Sequence, residues 1–294
     1  MNEEIKVVRQ FIEAMPDNST LTMEERRAQA DKAAAAMHLP RGCSVEEVNA
    51  GVPAEWVKTA EAGRGKAILY LHGGGYVGGS PISHRQMVGY ISRAAGANSL
   101  SIAYRLAPEH TCPAAVEDAA AAYRWLIKQG FSPNKIAIAG DSAGGGLTVA
   151  ALLHLREAGD PLPAAGMCIS PWADLTCSSE TYRTRAAVDP MIKPDSIAET
   201  AALYLGGLDP KTPAASPIFG DLTGLPPLLI QVGNDEVLLG DSIALDKKAK
   251  ACGVTCSLEI WADMVHVWHM FSPILKEGRE AIAKMGDFYR ERTA

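Results

Sequence analysis

The chain lacks the features that mark several large protein classes. Its six cysteines in 294 residues are too sparse for a disulfide scaffold and form no C-x-x-C pair, so we expect reduced, mostly buried thiols. Apolar runs stay short of the roughly 18 residues that a membrane helix needs, and the first residues lack the basic-then-apolar order of a secretory signal. Lysine and arginine form no run and the net charge is −6, which argues against nucleic acid as a partner. These absences predict a soluble, cytoplasmic protein without a membrane span.

From residue 67 onward, short apolar strands alternate with longer helical stretches. The strand candidates cover residues 67–71, 99–104, 135–139, 166–170, 227–232 and 254–260. The helical candidates cover residues 82–95, 113–129, 145–157, 240–251 and 273–290. Near-continuous apolar strands separated by helices are typical of a sheet that is covered on both faces. The pattern therefore predicts an α/β fold with a mainly parallel sheet.

Three segments stand outside this alternation. Apolar residues at helical spacing and a capping box at residues 22–25 predict two helices within the first forty residues. A hairpin is predicted around residues 49–51. Residues 174–225 contain several prolines and glycines between two strands, and a gap of this length is more often a lid or binding insertion than a plain loop.

A G-D-S-A-G motif at residues 140–144 lies between a predicted strand and a predicted helix. In such a sharp turn the serine has a strained backbone, and only glycine at both flanking positions lets the strand and the helix pass closely. The N-terminus of the helix offers free N–H groups where an oxyanion would develop. The motif therefore indicates that Ser142 is a nucleophile.

A second motif, His72 followed by three glycines, comes directly after the strand at residues 67–71. Glycines let the backbone approach a ligand and turn its N–H groups inward, as an oxyanion hole requires. The same letters satisfy the dinucleotide pattern G-x-G-x-x-G, which needs an acidic residue about 20 positions further on. Because no Asp or Glu occurs between Glu61 and Glu109, we reject a dinucleotide site.

His266 is the candidate general base among the seven histidines. It follows the last predicted strand, and loops at the carboxyl ends of parallel strands carry the site residues of this architecture. His269 is the alternative base. The two histidines also suggest a metal-binding pair, but there is neither an H-E-x-x-H motif nor a third ligand at suitable spacing, so we expect no metal.

Asp235 is the candidate acid, because it is the first carboxylate after the strand at residues 227–232 and would hold the imidazole in one tautomer. Glu236 and Asp241 are alternatives, and Asp263 is closer to His266 in sequence but precedes it. The order of serine, acid and histidine along the chain is that of the α/β-hydrolases.

Together these motifs resemble the hormone-sensitive-lipase group of α/β-hydrolases, the bacterial family IV esterases, in its G-D-S-A-G branch. The matching segments are residues 72–75, 104–109, 140–145, 170–172, 233–241 and the loop at His266. The resemblance implies an eight-stranded, mostly parallel sheet with helices on both faces and a helical cap. It places N-terminal cap helices at residues 1–42 and the catalytic domain at residues 43–294, with a cap insertion at about 174–214.

The resemblance also implies a serine carboxylesterase that acts on short- to medium-chain esters, needs no metal or cofactor, and pairs as a homodimer through the last strand. The residues that it implies are Ser142, Asp235 and His266 for the triad, and the backbone N–H groups of Gly74, Gly75 and Ala143 for the oxyanion hole. A lactone hydrolase or deacetylase would use the same triad. A non-catalytic receptor is the alternative of another class, but plant receptors of this fold lack the histidine, so its presence here favours catalysis.

Large side chains in the cap and pocket wall would set the substrate preference. The candidates to face the substrate are Tyr76, Trp172, Tyr182, Met191, Leu203 and Tyr204. Each of them is equally suited to packing in the core. An apolar lining would favour short to medium acyl chains.

Overall fold

Eight strands and nine helices build the part of the chain that the computed structural model describes, residues 2–16, 18 and 20–294. The strands are β1 Cys43–Asn49, β2 Pro53–Thr59, β3 Ala67–Leu71, β4 Asn98–Ile102, β5 Ile136–Asp141, β6 Ala165–Ile169, β7 Leu228–Gly233 and β8 Cys256–Trp261. The helices are α1 Glu3–Glu13, α2 Met23–Ala35, α3 Pro81–Ala95, α4 Ala114–Lys128, α5 Ala143–Glu157, α6 Thr181–Thr184, α7 Pro194–Leu205, α8 Leu239–Ala251 and α9 Lys276–Arg292.

All eight strands form one sheet in the order β1-β2-β4-β3-β5-β6-β7-β8. β2 is antiparallel to both of its neighbours, whereas every pair from β4 to β8 is parallel. The predicted eight-stranded, mostly parallel sheet and the predicted hairpin are therefore confirmed. The strand predicted at 99–104 ends two residues earlier, at Ile102, and the strand predicted at 254–260 starts two residues later, at Cys256.

The burial of each strand explains its sequence pattern. The central strands β3, β5, β6 and β7 are buried at every residue, which is why their apolar runs are continuous. The edge strands β1 and β8 have exposed residues among buried or half-buried ones. Ile260 of β8 is 47% exposed, and pairing of two chains along this edge stays a prediction.

The two N-terminal helices lie against loops that follow the strands. Ile5, Val8 and Ile12 are buried on one side of α1 and pack in a cluster with residues 264, 265 and 268, in the loop after β8. α2 begins with the predicted capping box. Its Arg27 donates hydrogen bonds to the carbonyl oxygens of Val77 and Ala107, in the loops after β3 and β4.

The long gap between β6 and β7 contains α6 and α7. One face of α7 is buried in the main core cluster through Ile197, Ala201, Tyr204 and Leu205. Both this insertion and the N-terminal helices thus contact the loops at the carboxyl edge of the sheet. Their grouping as a cap formed by residues 1–42 and about 174–214 stays a prediction.

Candidate active site

Ser142 lies on the sharp turn between β5 and α5. Its φ of 54° and ψ of −121° belong to a region that residues with side chains rarely adopt. A Cβ atom at Gly144 would overlap the carbonyl oxygen of Leu71, and one at Gly140 would overlap that of Gly144. Both flanking glycines are therefore required sterically. The turn holds the serine at the start of α5, on the wall of a cleft.

The glycine-rich loop after β3 forms the neighbouring wall of this cleft. Gly74 and Gly75 line it and have positive φ angles of 115° and 65°. A Cβ atom at Gly74 would overlap the carbonyl group of Gly78, so the loop cannot hold this shape with a larger residue. Ala143 directly follows Ser142 as the first residue of α5, where a backbone N–H has no intrahelical acceptor.

Asp141 connects the serine turn to the glycine loop. Its buried carboxylate accepts hydrogen bonds from the Tyr70 hydroxyl at 2.8 Å and from the Gly73 amide at 3.1 Å. Its other oxygen lies 3.3 Å from Nε2 of His84. The carboxylate next to the serine thus fixes the start of the glycine loop.

His84 and Asp141 form a buried pair of side chains beneath the loop, within hydrogen-bond distance of each other. Burial opposes ionisation of both groups, but their mutual charge and hydrogen bond raise the pKa of His84 and lower that of Asp141. The Gly73 amide also lies 3.2 Å from His84 Nε2. The same amide donates to Asp141 at 3.1 Å, so it lies between the two side chains.

His266 is held by Glu236. The imidazole Nδ1 lies 2.8 Å from Oε2 of Glu236, and both residues are buried. The second carboxylate oxygen accepts hydrogen bonds from the Ser170 hydroxyl at 2.8 Å and the Gly233 amide at 2.5 Å. The Ser170 oxygen in turn accepts from the amide of Val267. With Nδ1 protonated toward the carboxylate, Nε2 is the nitrogen free to accept a proton.

The prediction that Asp235 holds the imidazole is contradicted by this geometry. Asp235 and Glu236 are consecutive residues of one turn, and their side chains point to different partners. The Asp235 carboxylate accepts a hydrogen bond from Arg9 of α1 at 2.5 Å. The longer glutamate side chain reaches the buried His266 instead.

Of the other two acids considered from the sequence, Asp241 has a carboxylate that is engaged elsewhere. Asp241 accepts hydrogen bonds from the amides of Ala173 and Asp174, and burial raises its pKa well above the ordinary value. The backbone carbonyl of Asp263 lies 3.4 Å from Arg9. Glu236, which the sequence offered as an alternative, is the acid in contact with His266.

Three buried histidines differ sharply in their electrostatics. Burial lowers the pKa of His266, but the hydrogen bond and charge of Glu236 outweigh it, with further contributions from Asp189 and Asp141, so the pKa lies above the usual 6.5. Burial alone dominates at His72 and His269 and lowers the pKa of each to about 3. His269, the alternative base, is bonded to Gln231 through Nε2, and His72 stacks on Tyr104.

The cleft has a volume of about 430 Å³, and Ser142 and His266 both line it. Of the six large residues predicted to face the substrate, Trp172 and Met191 line it. The remaining lining is mostly contributed by the insertion and by the loops after β3 and β8: Val77, Ile192, Lys193, Ser196, Ile197, Thr200, Val267 and Met270.

Four of the predicted substrate contacts have other positions, so that prediction was wrong for them. Tyr76 and Tyr204 stack on each other inside the core, with ring centroids 3.8 Å apart. Tyr182 is buried and its hydroxyl lies 3.3 Å from the carboxylate of Asp241. Leu203 lines a neighbouring pocket between α2 and α7. The flat, fully buried tyrosines fill the core beneath the cleft.

The start of α7 supplies three of the lining residues that the sequence analysis missed. Ser196, Ile197 and Thr200 recur at spacings of one, three and four residues, so they share one helical face. If a helix had been predicted within the insertion, a plot of its residues by helical face would have shown that these three side chains lie together.

Residues 2–16, 18 and 20–294 contain neither a metal-binding group of side chains nor a helix suited to cross a membrane. Within that part of the chain, no group of three or more His, Cys, Asp or Glu side chains is placed to hold a metal ion. Nor does any helix there have the length and apolar character to cross a membrane.

Comparisons with known proteins agree with this architecture. Residues 68–270 match a family model described as the alpha/beta hydrolase fold. An acetyl-hydrolase from Streptomyces hygroscopicus is 48% identical over 294 residues, which cover 99% of this chain and 97% of the relative.

Two solved structures superpose over the whole chain. The crystal structure of EstE5 soaked with p-nitrophenyl butyrate has a TM-score of 0.95 at 53% identity and covers 100% of this chain and 99% of its own. An esterase from the bacterial hormone-sensitive lipase family has a TM-score of 0.96 at 48% identity, with the same coverage.

The contact between His266 and Glu236 predicts a change that NMR can measure. We expect Glu236→Gln to lower the pKa of His266, because it removes the charge that raises it. The matched control Asp235→Asn should leave this pKa nearly unchanged, because that carboxylate is paired with Arg9. Titration of the imidazole signals would contradict the assignment if Asp235→Asn produced the larger drop.

Proposed function

Because the chain belongs to the α/β-hydrolase fold family, in its hormone-sensitive-lipase group of esterases, we propose that it hydrolyses short- to medium-chain carboxylic esters through an acyl-enzyme on Ser142. Its relatives are named esterases and acetyl-hydrolases. The observation that carries the proposed mechanism is one cleft that contains a serine on a strained turn and a buried pair of His266 and Glu236.

In the first half of the reaction, Ser142 Oγ attacks the ester carbonyl carbon, and the carbonyl electron pair moves to its oxygen. Nε2 of His266 takes the proton from the hydroxyl, while the Glu236 carboxylate stabilises the imidazolium through Nδ1. The C–O bond to the alcohol then breaks, and His266 returns the proton to the leaving oxygen. The acyl group remains on Ser142.

In the second half, a water molecule gives a proton to His266 and attacks the acyl carbon. Collapse of the second tetrahedral intermediate breaks the bond to Ser142, whose oxygen regains the proton from His266. The carboxylic acid leaves, and the serine is restored. Every proton in these steps moves through Nε2, so Glu236 must keep Nδ1 protonated throughout.

The negative oxygen of both intermediates would be stabilised by the backbone N–H groups of Gly74, Gly75 and Ala143. Two of them belong to the loop with positive φ angles on the cleft wall, and the third begins α5. The N-terminal end of α5 adds a positive dipole potential at the same place. Asp141 supports this arrangement because it fixes the Gly73 amide.

Replacement of Ser142 by Ala should abolish hydrolysis of p-nitrophenyl butyrate, because no acyl-enzyme can form. The wild-type chain should react stoichiometrically with a fluorophosphonate at Ser142, as seen by mass spectrometry of the labelled peptide. The Ser132→Ala variant, on a loop before β5, is the control and should keep both properties. Substantial ester turnover by Ser142→Ala would exclude this mechanism.

We expect Glu236→Gln to reduce kcat by about 10³- to 10⁴-fold, in line with the loss that follows an acid-to-amide change in a catalytic triad. Asp235→Asn should lower kcat by no more than about tenfold, because its side chain contacts Arg9 and not the imidazole. Steady-state kinetics of the two variants separate the adjacent acids. A larger loss from Asp235→Asn would restore the interpretation from sequence alone.

The cleft favours acyl chains of limited length. Its volume of about 430 Å³ is near the lower end of the 300–1,000 Å³ that ligand pockets usually span. Ile192, Ile197 and Met270 give part of its wall an apolar character. Each methylene that enters such a wall adds about 0.8 kcal/mol of transfer free energy, and methylenes beyond it add nothing.

Acetyl esters are a narrower candidate substrate, favoured by the acetyl-hydrolase that is 48% identical to this chain. In that case the enzyme would prefer acetyl groups even though the cleft has room for longer acyl chains. Deacetylation would use the same triad and the same steps.

A series of p-nitrophenyl esters from acetyl to palmitoyl tests the preference. We expect kcat/KM to be highest within the acetyl to octanoyl range and to fall beyond it, because the additional methylenes find no apolar wall. A maximum at acetyl alone would identify the narrower substrate class, whereas a palmitoyl maximum would contradict the proposed range.

A further inference from the structure

Arg9 of the first helix contacts both loops that carry the acid–base pair. Its Nη2 atom lies 2.5 Å from Oδ2 of Asp235, the residue directly before Glu236. The same nitrogen lies 3.4 Å from the backbone carbonyl of Asp263, three residues before His266. Nη1 donates to the carbonyl oxygen of Val188, in the insertion, at 3.0 Å. One guanidinium group thus bridges three separate segments around the pair.

The helix that carries Arg9 is firmly attached to the same region. Ile5, Val8 and Ile12 are buried in a cluster that includes Met264 and Val265, the two residues before His266. Because Arg9 follows Val8 directly, its backbone is fixed by that packing. The guanidinium therefore reaches the loops from a helix that is fixed by its buried side chains.

The contact also balances charge next to the reacting groups. Asp235 and Glu236 are consecutive carboxylates, and the side chains of Asp235 and Arg9 are only 18% and 16% exposed. Water screens such a pair poorly, so loss of the guanidinium would leave an uncompensated carboxylate beside Glu236. The Asn234 side-chain amide, 3.2 Å from Oδ1, is a neutral donor and would not balance that charge. The turn that carries Glu236 would therefore move with the carboxylate.

The insertion holds the other end of the same turn. The amide of Val237, directly after Glu236, donates to Oδ2 of Asp189 at 2.9 Å. The buried Asp189 carboxylate also accepts from the amides of Met191 and Ile192, which line the cleft. Glu236 is thus flanked on both sides by residues that are bonded to segments outside the sheet.

We propose that Arg9 is a positioning residue of the active site, which holds the loops of Glu236 and His266 in register through Asp235 and the Asp263 carbonyl. It does not touch the substrate, so its effect is on the chemical step rather than on ester binding. The proposal rests on the proposed function of the Ser142 site. It assigns Arg9, and not the first helix as a whole, to the residues that position the acid–base pair.

The test is a double-mutant cycle of Arg9→Met and Asp235→Asn with p-nitrophenyl butyrate as the substrate. We expect Arg9→Met to lower kcat about tenfold or more with a nearly unchanged KM, because a small displacement of the acid–base pair slows proton transfer. In the double variant the unpaired carboxylate is gone, so part of the lost kcat should return. Lys6→Met, which removes an exposed cation from the same helix, is the matched control and should behave as wild type.

The fraction of active sites is counted in every variant by labelling of Ser142 with a fluorophosphonate, and the labelling rate is recorded. A purely structural role of Arg9 would lower the melting temperature and the number of reactive sites, but not kcat per labelled site. If Arg9→Met does not fold, Arg9→Lys keeps the charge but cannot reach all three acceptors, and its kcat per site should still fall. A kcat per site equal to wild type in the folded Arg9 variant would overturn the proposal.

Failure of the two proposals can be told apart. If wild-type Ser142 does not react with the fluorophosphonate, the proposed function fails whatever Arg9 does. If Ser142 reacts in the wild type and equally fast in Arg9→Met, the function stands and only the role of Arg9 is lost. A kcat of the double variant that is equal to or lower than that of Arg9→Met would also contradict the charge balance that we infer.

Discussion

The buried contact between His266 and Glu236 is the interaction on which the site depends. Taking an imidazole and a carboxylate out of water is costly unless their polar atoms are paired. Here one carboxylate oxygen of Glu236 is hydrogen-bonded to His266, and the other accepts from the Ser170 hydroxyl and the Gly233 amide. Because these partners follow β6, β7 and β8, the pair can form only after the carboxyl edge of the sheet is assembled. The reactive geometry is a consequence of the strand order.

Segments far from the sheet in sequence complete that edge. The first helix packs its apolar side on residues 264–268 and places Arg9 between the loops, while the insertion bonds to the turn at Val237 through Asp189. The first helix and the insertion therefore both contact the loops that carry the reacting groups, and the insertion also lines the cleft. A shift of either segment would disturb the alignment of the acid–base pair.

The parts predicted from sequence are those that local constraints determine. Continuous apolar runs identified the parallel strands, because strands that are buried on both faces have few positions for polar side chains. Glycines marked the serine turn, because any side chain at these positions would overlap a carbonyl group. The acid was not predictable in this way. Asp235 and Glu236 occupy one turn, and which of them faces inward depends on Arg9, a partner 226 residues away in sequence. No local pattern distinguishes a carboxylate with a distant cation from one with a buried imidazole.

The cleft wall escaped prediction for a related reason. Large aromatic residues are equally suited to contact a ligand or to fill a core, and here Tyr76 and Tyr204 stack on each other beneath the cleft. The wall itself uses small and aliphatic residues of α7, and one of them, Ile197, belongs to the main core together with Ala201 and Tyr204 of the same helix. Substrate contacts and core packing thus share a single helix of twelve residues. Changes in acyl preference are consequently constrained, because a substitution that displaces α7 would also disturb the stacking of its Tyr204 on Tyr76.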